Sequence, residues 1–183
     1  AALSAEERGR IGQRLARYTG LSAEYIERSN LRIEISRFVK ELLRAERRTV
    51  GRLDSRFTGA DRDAAGEHFE YDPSYATIQG PYTATLNDYV RSELKFESDL
   101  PYEILTDRVY PWKYDKHQNQ YVNVADTLRA AMTQNPYLKI FVASGYYDLA
   151  TPYLATVYTL NHLDLEPDLQ QNIAVAHYEA GHM

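Results

Sequence analysis

Two short apolar runs near the end of the chain, "LKIFVAS" at 138–144 and "NIAVAHY" at 172–178, constrain the fold more than any other feature. Each is too short for a core helix and is apolar at both odd and even positions, the pattern of a strand covered on both faces. Between them, "TPYLATVYTLNH" reads as a helix with Thr151 as N-cap and Pro152 as its first residue, running to about His162. A strand–helix–strand crossover of this length joins parallel strands, and such units are right-handed almost without exception. The expected fold class is therefore α/β, built on a parallel βαβ unit. Two strands of this kind leave hydrophobic edges unpaired, so the domain is expected to be incomplete.

Parallel strands bring their carboxyl ends to one rim, where open α/β sheets bind their ligands. Asp148 lies just past the first run and His182 just past the second. A carboxylate accepting an imidazole N–H fixes the tautomer and stabilises the imidazolium, which is what a general base for a serine requires. Gly181 removes a side chain directly before His182 and allows a sharp turn there. Spacing alone leaves this pair open between a structural hydrogen bond and a catalytic acid and base.

The rest of the chain carries weaker signals. Residues 1–50 read as helical: Ser4 with Glu7 forms a capping box, Gly20 suits a C-terminal cap, and Ser22 can cap a short second helix. Leu31, Ile35, Phe38, Val39, Leu42 and Leu43 follow the spacing of one buried helix face. Arg44, Arg47 and Arg48 then read as a solvated helix end. From Val50 to Gly80 no period holds, which predicts a long polar loop, functional or mobile, with Asp54 and Arg56 as a solvated local ion pair. Pro81 is expected to open another helix bearing Leu86, Tyr89, Val90 and Leu94, and 122–133 to form a further one. The division expected is a mainly helical region at 1–110 and a strand-bearing segment at 111–183.

Composition narrows the partners. At 183 residues, 44% hydrophobic and 26% charged, the chain can bury a core of ordinary size. A net charge of −5 gives no electrostatic reason to expect nucleic acid. No apolar stretch is long enough to span a bilayer, so no membrane partner is expected, and the opening "AALSAEERGR" lacks the apolar core of a signal peptide. The absence of cysteine excludes disulfides and thiolate chemistry. Sixteen tyrosines suit either packing at a large interface or the lining of a pocket.

Taken together, "VASGYYDLATPYLATVYTLNHL" and "NIAVAHYEAGHM" resemble the C-terminal part of the serine carboxypeptidase family, within the α/β-hydrolase fold. The family's order of catalytic residues is serine, aspartate, histidine. The resemblance implies that Asp148, in a G-x-x-D loop, is the acid, that His182 is the base, and that Met183 borders the leaving-group side of the cleft. It implies an intact enzyme that releases C-terminal residues from peptides through an acyl-enzyme, without cofactor or metal. The helical start and "GRLDSRFTG" look like the cap that such enzymes insert between sheet strands.

The departures are specific. None of the nine serines lies in a G-x-S-x-G elbow; Ser144 comes nearest but precedes the acid loop and lacks a glycine two positions before it. The nucleophile is thus expected outside this chain, in a missing N-terminal half of the same enzyme, and the chain alone is expected to be inactive. The lack of cysteine points to a bacterial-type relative, and the resemblance suggests a secreted or periplasmic protein. Unpaired sheet edges also predict homo-oligomer formation.

Three rival readings frame the pair. His177, Glu179 and His182 are metal-ligand types, and alternation places His177 and Glu179 on one face with Tyr178 opposite, yet "HYEAGH" is not H-E-x-x-H, its histidines are five apart and Gly181 argues against a helix, so no metal is expected. A non-enzymatic helical interaction module would use the first helices instead. Acyltransferases and lyases that share the triad would use the same two residues.

Overall fold

Ser4 starts the first helix as its spacing predicts. The computed structural model describes residues 3–183, the side chain of Lys116 excepted. Helix α1 (Ala5–Thr19) opens with a reciprocal capping box, Ser4 Oγ accepting the Glu7 N–H at 3.2 Å and Glu7 Oε2 accepting the Ser4 N–H at 2.8 Å. It ends at Gly20, whose φ of 77° lies in the left-handed region that favours glycine. Helix α2 (Ala23–Arg28) is capped by Ser22, and α3 (Ile35–Glu41) buries Val39 and Lys40. The described residues form two compact units, one running to Thr77 and the other Ile78–His182. Among them no helix is long and apolar enough to cross a membrane.

In the first unit the supposed loop is a built structure. Strands β1 (Arg48–Val50) and β2 (Thr58–Ala60) pair antiparallel, and the core gathers Leu21, Ile26, Val39, Val50 and Leu53. The segment after β2 is bonded to side chains of the preceding elements. Lys40, 1% exposed, drives its ammonium into the Asp61 carboxylate and the Asp63 carbonyl. Removing one partner of such a buried pair typically costs about 3–5 kcal/mol. Arg44 holds the Ala64 and Gly66 carbonyls, and Arg48 bonds Thr58 across the hairpin at 2.9 Å. Of the expected solvated helix end, Arg44 and Arg48 are thus used internally, while Arg47 is exposed as expected. Asp54 and Arg56 do pair, at 2.6 Å, but Asp54 is 7% exposed rather than solvated.

Pro81 is expected from the sequence to begin a helix. It does not open a helix but sits inside α4 (Pro73–Ser92). The start is set eight residues earlier because Asp72 Oδ1 accepts the Ser74 and Tyr75 N–H groups at 2.9 and 3.4 Å.

The second unit contains the βαβ element. Helix α5 (Ala125–Gln134) begins three residues later than expected. Strands β3 (Ile140–Gly145) and β4 (Ile173–Tyr178) pair parallel, with Phe141 opposite Ala174 and Ser144 opposite His177. Alternation gathers Ile140, Val142, Ser144, Ile173, Val175 and His177 on one face and Phe141, Ala143, Ala174 and Ala176 on the other. The crossover is α6 (Tyr153–Asn161), followed by a short α7 (Pro167–Gln170) that the sequence reading missed. Tyr153 of α6 meets His177 edge-on, with ring centres 5.4 Å apart, so α6 lies over the first face. The strands are not covered on both sides as their composition suggested. Phe141 stands 64% exposed on the second face. The fold is thus a mixture of helices and strands with two separate two-stranded sheets among the described residues.

Candidate active site

The two strand ends are zipped together beyond the sheet. Past the last paired residues, the Tyr146 N–H donates to the Tyr178 carbonyl at 3.0 Å and the Tyr147 N–H to the Ala180 carbonyl at 3.1 Å. The Tyr147 hydroxyl then donates to Glu179 at 2.8 Å. This extension fits only because residue 145 is glycine: a Cβ there would lie 2.3 Å from both the Ala180 and the Gly181 carbonyl oxygens. The acid loop and the histidine loop therefore leave the sheet side by side. On the α6 side, Tyr146 stacks on His177 with Tyr153 edge-on to both, each ring pair 5.4 Å apart.

Asp148 and His182 meet where these loops end. His182 Nδ1 lies 2.8 Å from Asp148 Oδ2, a charge-assisted distance. The Asp148 side chain is 5% exposed and that of His182 is 40% exposed, so the acid is buried while the ring reaches solvent. With Nδ1 turned to the carboxylate, Nε2 is the nitrogen that can exchange protons with a reacting group. Asp148 is also an acceptor for its own loop. Oδ1 takes the Ala150 N–H at 2.7 Å and the Thr151 N–H at 2.9 Å, and Oδ2 takes the Thr151 hydroxyl. Burial pushes the carboxyl upward, but the Thr151 hydroxyl and amide, His182 and the Ala150 amide together hold it below its ordinary value of 3.8.

The remaining sequence candidates fall as follows. Met183 follows His182 directly and is 50% exposed. His177 stacks on Tyr146, and Glu179 accepts the Tyr147 hydroxyl. Ser144 is buried in β3 at 8% exposure, on the face it shares with His177, and among the described residues no hydrogen bond joins it to His182. Thr151 does not cap α6, whose N-cap position is Pro152; its hydroxyl and amide go to Asp148 instead. An aspartate in a loop often accepts the backbone N–H two residues on, as Asp148 does from Ala150, but a threonine before a proline reads equally as a helix cap, so the role of Thr151 was not legible in the sequence.

No protein-family model, no curated protein and no solved structure matches this chain.

Proposed function

We propose that the chain carries the acid and the base of a serine carboxypeptidase-like hydrolase of the α/β-hydrolase fold, with the nucleophilic serine on a segment outside it. The observation that carries this reading is the 2.8 Å contact between His182 Nδ1 and Asp148 Oδ2 at the common end of two parallel strands. The exposed Phe141 and the unpaired strand edges support it, since further strands and a covering layer would complete such a sheet.

In this reading Asp148 accepts the Nδ1 proton and so points Nε2 at the nucleophile. Nε2 removes the serine proton as the oxygen attacks the scissile carbonyl. The imidazolium that results is stabilised by Asp148 and returns its proton to the leaving amine as the carbon–nitrogen bond breaks. Water then repeats the sequence on the acyl-enzyme, losing its proton to Nε2 and releasing the shortened peptide. Met183, next in the chain to His182, would border the departing residue.

The test uses the longest gene product that contains this segment, treated with a serine-reactive fluorophosphonate. The expected label falls on a serine outside these 183 residues. His182→Ala should abolish labelling and lower kcat on peptides by on the order of 10⁴- to 10⁶-fold with KM little changed. Stoichiometric labelling of a serine within this chain, or retention of a tenth of normal turnover without His182, would overturn the reading.

A further inference from the structure

We infer that Thr151 tunes this dyad: its hydroxyl shares the carboxylate oxygen that holds His182 and so loosens the acid's grip on the base. Four donors converge on the Asp148 carboxylate. Each carboxylate oxygen can accept two strong hydrogen bonds. Oδ1 is filled by two backbone N–H groups, from Ala150 at 2.7 Å and Thr151 at 2.9 Å. Those two bonds fix the plane of the carboxylate without help from any side chain. Oδ2 is divided between the Thr151 hydroxyl and His182 Nδ1, the latter at 2.8 Å.

The hydroxyl is therefore not needed to aim the carboxylate. It acts on how strongly Oδ2 can hold the imidazole, because a donor already seated on an oxygen draws off part of its negative charge. Its own oxygen lies 3.4 Å from Nδ1, so it also flanks the ring. The Asp148 side chain is 5% exposed. The other carboxylate carried by these loops, Glu179, is turned to the Tyr147 hydroxyl.

The functional meaning rests on the hydrolase reading. A general base must be neutral before the serine attacks, and an acid that bound the imidazolium too tightly would keep it protonated. Division of Oδ2 between two donors tempers that hold. Orientation comes from the backbone, and strength is set by the hydroxyl.

The inference is tested on the whole 183-residue chain, with histidine labelled by ¹⁵N, at one pH held the same for every variant. The readout is the Nδ1 proton resonance of His182. Thr151→Val removes the hydroxyl and keeps the side-chain shape, at a position that is exposed. The resonance should move downfield as the remaining bond to Oδ2 strengthens, and Thr151→Ser should return it to its original place. Thr151→Ala removes the same hydroxyl without added apolar bulk and should reproduce the shift. An unchanged resonance in the valine and alanine variants would make the hydroxyl a bystander, and loss of the resonance would mean that it orients the carboxylate; either result overturns the inference. The measurement needs no serine, so its failure is distinct from failure of the fluorophosphonate test.

Discussion

Burial would raise the Asp148 carboxyl, yet hydrogen bonds from Thr151, His182 and Ala150 leave it below its ordinary value of 3.8. A group whose folded pKa is depressed binds protons more weakly in the native state than in the unfolded chain. Its stabilising contribution is present above the unfolded value and is lost as pH falls through the folded one. Asp148→Asn keeps the shape but removes the charge. The wild-type chain should therefore be more stable than the variant at neutral pH, and the gap should shrink on acidification below about pH 4. Thermal melts of both proteins across that range measure it; a gap independent of pH would mean that the charge of Asp148 plays no part. At this scale the sequence disclosed the two principal residues, because each follows an apolar strand and the parallel topology assigns both to one rim. It did not disclose that Thr151 serves Asp148 rather than α6, since a threonine before a proline at a helix start is equally a cap.

Between the residue and the fold lies the joint at the ends of β3 and β4, and it turns on Gly145. Any Cβ there would meet two backbone carbonyl oxygens at 2.3 Å, and backbone cannot swing aside as a flexible side chain can. Gly145→Ala should force the histidine loop away from the acid loop. The expected cost is about 1–3 kcal/mol by urea unfolding, the usual range for overpacking, together with loss of the His182 Nδ1 proton resonance. A variant with unchanged stability and resonance would show that the joint accommodates a Cβ at position 145 and does not depend on glycine there. The contrast between elements read well and read poorly has a physical basis. The capping box at Ser4, the glycine stop at Gly20 and the βαβ unit depend on neighbours within a few residues or on a simple apolar period. The built segment after β2 and the true start of α4 depend on Lys40, Arg44 and Asp72 reaching carbonyls, carboxylates and amides, in the first two cases twenty or more residues away. Such bonds leave no periodic trace, and a segment stabilised by them looks like a polar loop.

For the whole molecule the decisive fact is a parallel sheet of two strands, each with one neighbour among the described residues. Parallel sheets ordinarily have both faces covered, and here one face presents Phe141 at 64% exposure beside Ala143, Ala174 and Ala176. Backbone N–H and C=O groups along the open edges add a template for pairing with another chain. In the proposed enzyme these surfaces would be taken up by the remainder of the sheet and the layer over it. The chain by itself should instead self-associate in a concentration-dependent way, with Phe141 at the centre of the contact. Full burial of a phenylalanine is worth about 2 kcal/mol, roughly a thirtyfold change in dissociation constant. Phe141→Lys should thus weaken self-association by about that factor while leaving the circular dichroism of the chain unchanged, because the side chain is largely in solvent already. Sedimentation velocity over a range of concentrations decides the matter. A wild-type chain that stays monomeric at every concentration, or a lysine variant that associates as strongly, would mean that this face is not where further structure attaches, and the case for a larger sheet would rest on the strand edges alone.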